Sequence, residues 1–181
     1  MVFGDRSGQD AAPGGDIHPA IGKPRPYHRT RFVMGSSERR MCAASTNQSN
    51  ISGSCLCGTV CFEINGSFDS FFLCRCSRCR KGSGTAHGAN LFASGATLHW
   101  LAGEAEVKIF KLPGTRHQRS FCMECGSALP DVQMDGAMLQ VPAGCLDGPI
   151  WIRPTAHICC ASRADWDVAL DEIIMMNGPP G

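Results

Sequence analysis

The sequence predicts a mainly β domain of small antiparallel sheets braced by bound metal. Three observations lead there. Strand-length runs with apolar residues at every second position recur from residue 51 onward. Turn dipeptides such as Asn65-Gly66 and Pro113-Gly114 fall at the ends of these runs. Seven of the twelve cysteines lie in three tight clusters, Cys55-Leu56-Cys57, Cys74-Arg75-Cys76-Ser77-Arg78-Cys79 and Cys122-Met123-Glu124-Cys125.

In chain order, Thr59-Val60-Cys61-Phe62-Glu63-Ile64 alternates and puts Val60, Phe62 and Ile64 on one face. Ser77 to Gly82 reads as a short helical turn leaving the middle cluster. Ala89 to Ala93, Val107 to Lys111 and Gln118 to Phe121 read as strands, with Pro113-Gly114 turning the last two into a hairpin. Ala137 to Val141 and Ala156 to Cys160 complete the set. Trp100, Trp151 and Trp166 have no helical or cage-like spacing and read as core or rim packing. The expected organisation is an unpatterned, disordered extension over residues 1–50, a zinc-binding domain over 51–170 and a short tail over 171–181. Met34 and Met41 stand as alternative starts, because patterned sequence begins only near Ile51.

Composition narrows the function classes. Hydrophobic residues at 43% and charged residues at 18% fit a soluble globular domain. No apolar run approaches the ~20 residues that span a bilayer, so no membrane role is expected. Residues 1–50 carry seven Lys/Arg against four Asp/Glu, and the remainder ten against twelve. Zinc-bound thiolates would make that remainder more negative still, which argues against a nucleic acid partner. The first twenty residues contain Asp5, Asp10 and Asp16 and no apolar signal core. A reducing, cytoplasmic location is therefore expected, with the clustered cysteines on metal rather than in disulfides.

The cysteines divide as four plus three. Four thiolates close a tetrahedral zinc, whereas three leave a position for chemistry. Cys55, Cys57, Cys122 and Cys125 form the four: in each pair the last cysteine is followed by glycine, Gly58 or Gly126, which suits the positive φ of a metal knuckle. This structural zinc would staple residues nearly seventy positions apart. A redox pair or buried free thiols is the alternative. Cys74, Cys76 and Cys79 form the three. A three-thiolate zinc is electron-rich and suits a soft incoming thiolate better than hydrolytic water. The alternative is closure by a fourth protein ligand, with His87 nearest in sequence. Arg75, Arg78, Arg80 and Lys81 interleave with the triplet and would attract a carboxylate-bearing thiol, or only solvate a turn. Arg119, just before the second knuckle, is likewise a strand-face charge or a ligand contact. Cys61, Cys145, Cys159 and Cys160 lie outside the clusters and read mostly as small buried residues. Cys159 and Cys160, adjacent on a strand, would point to opposite faces and so make no working redox pair.

Gly53 to Val60, Cys74 to Lys81, Arg119 to Ser127, Ala143 to Asp147 and Pro154 to Ile158 together resemble the family of glutathione-dependent formaldehyde-activating enzymes, whose domain also occurs in centromere protein V. The resemblance runs from about Gly53 to Trp166. It implies a Mss4-like zinc-binding fold with two Zn2+ per chain. It further implies a structural zinc on Cys55, Cys57, Cys122 and Cys125, and a catalytic zinc on Cys74, Cys76 and Cys79 that glutathione can contact. The implied activity is a carbon–sulfur lyase reaction, in which S-hydroxymethylglutathione is formed from glutathione and formaldehyde or cleaved. Protonation of the hemithioacetal oxygen would need a nearby donor, for which His87 and Ser83 are the candidates. A non-catalytic zinc-binding interaction module is the alternative on the same domain. A thiol–disulfide or sulfoxide reductase would need a free reactive cysteine outside the clusters.

Overall fold

The computed structural model describes residues 50–179. The expected extension over residues 1–50 therefore falls almost wholly outside the described residues. Among the described residues, eleven strands make three sheets, and one α-helix joins two of the strands.

The first sheet contains β1 (Asn50–Ser54), β2 (Cys61–Asn65) and β5 (Thr97–Ala102) in the order β1-β2-β5. The alternation read from the sequence holds: Val60, Phe62 and Ile64 are fully buried. Phe62 meets Trp100 edge-on, ring centroids 5.8 Å apart. Burying a side chain of this size contributes about 1.5–3 kcal/mol. Gly53 on β1 is required by this packing. A Cβ there would stand 2.2 Å from the Phe62 ring and 2.4 Å from the Cys145 carbonyl oxygen. Strand β1 has little β-branched or aromatic character and was not marked as a separate strand in sequence; tertiary pairing with β2 makes it one.

The second sheet holds β3 (Ser70–Cys74), β4 (Gly88–Ala93), β9 (Asp131–Gln133), β10 (Met138–Pro142) and β11 (Ala156–Ile158), ordered β11-β3-β4-β10-β9. Its pairings are antiparallel except at one edge, where β11 runs parallel to β3 with Ile158 opposite Cys74. The third sheet is β6 (Val107–Lys111), β7 (Gln118–Cys122) and β8 (Ala128–Leu129). The expected hairpin is present, with Lys111 opposite Gln118 and Gly114 at φ 71° in the turn. Strand β3, which lacks simple alternation, strand β5, where Leu98 and Trp100 alternate with Thr97 and His99, and the very short β8 and β9 were not anticipated.

Leu91, Ala93, Leu129, Leu139 and Val141 join the β2 residues in one core that also takes in Cys55, Cys122 and Cys145. Trp100 packs against this core, while Trp151 and Trp166 are exposed. Among the described residues, no helix is long and apolar enough to cross a membrane.

Candidate metal centres

The four-cysteine group is assembled by two strand ends. Cys55 follows β1, and the turn Cys55-Leu56-Cys57-Gly58 closes through Gly58 N–H on the Cys55 carbonyl, 3.0 Å, with Gly58 at φ 77°. Cys122 ends β7, and Gly126 N–H bonds its carbonyl at 2.9 Å with φ 73°. Both glycines thus take the left-handed conformation expected of them. The knuckles are tied to each other by Leu56 N–H donating to Ser127 Oγ, 3.0 Å.

The four sulfurs lie within 4.8 Å of one another. Cys55 and Cys57 Sγ are 3.3 Å apart, and Cys57 and Cys122 Sγ 3.9 Å. Tetrahedral thiolates at the usual Zn–S length of ~2.3 Å sit roughly 3.8 Å apart, so the donor set fits a tetrahedral ion. The thiols differ as free acids. Burial pushes Cys122 up to about 12. Burial also opposes ionisation of Cys125, but the hydroxyl and N–H of Ser127 outweigh it and bring the thiol down to about 6. Hydrogen bonds from the Thr59 hydroxyl and N–H lower Cys57. Four thiolates in one such place require a cation.

The three-cysteine group is built where β3 passes into α1 (Ser77–Ser83). Cys74 is the last residue of β3. Cys76 is the N-cap of α1, its sulfur accepting the Cys79 N–H at 3.5 Å. Cys79 sits in the helix's first turn. Gly84, at φ 69°, ends the helix with its N–H on the Arg80 carbonyl, 2.8 Å. The three sulfurs lie within 4.8 Å of one another, and no histidine, aspartate or glutamate ligand atom among the described residues completes a group of four with them. Burial first, then its neighbours Cys74 and Cys76, raises the Cys79 thiol far above its usual range. Burial likewise raises Cys74. Burial opposes ionisation of Cys76, but the N–H of Cys79 and the neighbouring thiols bring it down. This donor set too suits a soft cation such as zinc.

Around the triplet the basic residues have separate tasks. Arg75 Nη1 donates to the buried carboxylate of Asp167, and Arg75 Nη2 lies 3.3 Å from His157 Nδ1. Arg80 donates from Nε to the Arg75 carbonyl and from Nη2 to that of Ser162, 3.2 Å each. Arg119 donates to the Gly82 carbonyl at 2.5 Å and lies over the Phe121 ring. His157 and His87 meet edge to face, 6.2 Å between centroids. His87 Nδ1 is buried with no hydrogen-bond partner among the described residues. Burial, then Arg75 and His157, lowers the His87 pKa. Ser83 Oγ donates to the Cys79 carbonyl at 2.9 Å and so caps the helix.

Two sequence expectations change. Strand β11 stops at Ile158, so Cys159 and Cys160 are not adjacent on a strand. Cys159 is at φ 57° and both are exposed rather than buried, because the chain turns into a 3-10 segment at the sheet edge. Cys145 and Cys61 are buried as expected, with burial raising the Cys145 thiol. Asp167 and His157 were not singled out as site residues. No local pattern marks Asp167, which the fold brings to Arg75 from 92 positions away.

The family model of the glutathione-dependent formaldehyde-activating enzyme matches residues 50–162 of this chain. No curated protein matches it. Among solved structures, a crystal structure of a Rhodobacter sphaeroides protein is similar at 22% identity, spanning 59% of this chain and 98% of its own, with a TM-score of 0.44.

Proposed function

The chain belongs to the glutathione-dependent formaldehyde-activating enzyme family, and from that premise we propose that it is a zinc-dependent carbon–sulfur lyase acting on a glutathione–aldehyde adduct. The observation that carries this reading is the grouping of Cys74, Cys76 and Cys79 Sγ without a fourth ligand atom among the described residues. Cys55, Cys57, Cys122 and Cys125 would hold a structural zinc, and the triplet a second, reactive one.

Cys74, Cys76 and Cys79 would hold a zinc ion that, when bound, would take up the sulfur of an incoming thiol and lower its pKa from ~8.5 toward neutrality. The proposed reaction joins that sulfur to the carbonyl carbon and moves the thiol proton to the carbonyl oxygen, or runs in reverse. Arg75, fixed by Asp167 and braced through its carbonyl by Arg80, holds the loop between Cys74 and Cys76 in one shape. Such fixing limits the loss of geometry that weakens a reactive site. Of the two candidate proton donors, Ser83 is committed to the helix end, whereas His87 Nδ1 has no hydrogen-bond partner among the described residues and its ring meets that of His157. His87 is the proton carrier in this reading. The cytoplasm, where thiols stay reduced, is its proposed location.

Exchange spectroscopy by NMR on formaldehyde and glutathione tests the activity. The zinc-loaded protein should accelerate adduct exchange, and Cys76→Ala should abolish the acceleration. An unchanged exchange rate with both metal positions filled would contradict the lyase reading and leave an interaction module.

A further inference from the structure

The sequence treats the basic residues near the triplet as one group, but the structure sorts them. Arg75, Arg80 and Arg119 spend their guanidinium groups on Asp167 and on backbone carbonyls. Arg78, which lies between Cys76 and Cys79 on α1, does not. Its guanidinium has no hydrogen bond or ion pair among the described residues, where Arg75–Asp167 is the only salt bridge. The same is true of Arg116, in the turn between β6 and β7.

These two arginines face one cleft of about 770 Å3, lined also by Gly114, Thr115, His117, Gln133 and Gln140. None of the lining residues is acidic. The carboxylate close to His117 is that of buried Asp131, which already accepts from Gln118 Nε2 at 2.8 Å, Ser120 Oγ at 3.0 Å and Gln133 Nε2 at 3.1 Å. Uncompensated cationic donors converging on a polar cleft are arranged for an anion, and guanidinium groups match a carboxylate's two oxygens. A volume of this size is within the range of small-molecule sites.

We infer that this cleft between α1 and the β6–β7 turn is the carboxylate subsite for the thiol substrate, with Arg78 and Arg116 as its anchors and His117 as a further donor. The inference rests on the proposed thiol chemistry at the triplet and deepens it. Because Arg78 lies between Cys76 and Cys79, α1 contributes to both the triplet and the cleft. Thiols that bear no carboxylate then lose the part of the binding that this cleft supplies.

Calorimetric titration of the zinc-loaded full chain separates this inference from the reading beneath it. S-methylglutathione has both carboxylates and no free thiol, so it probes the cleft alone. It should bind the wild type, weaken at least about tenfold with Arg116→Ala and more with Arg116→Glu, and lose affinity by a similar factor when its carboxylates are esterified. Arg116 is exposed in a turn, so these variants keep the fold. Equal binding of S-methylglutathione and its diester, equal binding by wild type and both variants, or no binding to the wild type would overturn the subsite. Free glutathione should bind the wild type more tightly than the S-methyl compound. If it gains nothing while the carboxylate dependence stands, the thiol reading at the triplet fails and the anionic subsite remains.

Discussion

Arg75 and Asp167 form the one salt bridge among the described residues, between a loop flanked by two cysteines and a buried carboxylate 92 positions later. The pair ties the segment after β11 to the loop between Cys74 and Cys76. Asp167→Asn should free that segment without unfolding the domain. Hydrogen exchange at Arg75, whose N–H bonds the Ile158 carbonyl at 2.9 Å, should speed up by about tenfold or more, with the β1-β2-β5 sheet unchanged. The bond from Arg75 holds Asp167 below the ordinary carboxylate range. A depressed carboxylate contributes fully above the unfolded value of ~3.9 and fades only as pH falls through the lower folded value. Between pH 5 and 8, corrected protection at Arg75 should therefore stay flat.

The two cysteine groups should fail differently. Cys122 is fully buried and joins the core, so Cys122→Ala should cost the fold. Structural zinc in small domains contributes on the order of 10 kcal/mol of apparent folding energy. Little soluble protein is expected, and circular dichroism should report a disordered chain. Cys76 is partly exposed at a helix N-cap, so Cys76→Ala should remain folded, bind one zinc fewer and lose at least about tenfold in glutathione affinity. Metal analysis with thermal melting checks both.

Gly53→Ala should destabilise the domain although a methyl group is small. The added Cβ would overlap both the Phe62 ring and the Cys145 carbonyl, and neither is free to move. Overpacking of this kind costs about 1–3 kcal/mol, which urea unfolding would read as a lower midpoint with unchanged slope.

Alkylation should follow exposure and metal protection. Cys159 and Cys160 are exposed and should react first in zinc-loaded protein. Cys145, buried and with a raised pKa, should resist until unfolding. Chelation should add Cys57, Cys76 and Cys125, which are at least partly exposed and have lowered thiols, ahead of Cys74 and Cys79, as peptide mass mapping would record.

Much of this was legible in sequence where chemistry is local. Paired spacing with a following glycine marks the knuckles, and alternation marks Val60, Phe62 and Ile64, because both are set by backbone geometry within a few residues. Strand β3 was not legible, since Phe71-Phe72-Leu73 is a continuous apolar run without a period. The end of β11 was missed because the αL turn at Cys159 is made by a cysteine, a residue that gives no turn signal. Asp167 and Arg116 were invisible for a different reason. Their significance lies in what they face, or in having no partner, and tertiary packing alone decides that.

The central claim is an open metal position at the triplet that accepts the sulfur of a thiol. A crystal of the zinc-loaded protein soaked with glutathione measures it most directly. The account predicts a sulfur from glutathione ~2.3 Å from the zinc held by Cys74, Cys76 and Cys79. A zinc there whose fourth ligand is a protein side chain such as His87, with no glutathione sulfur within bonding distance, would contradict it.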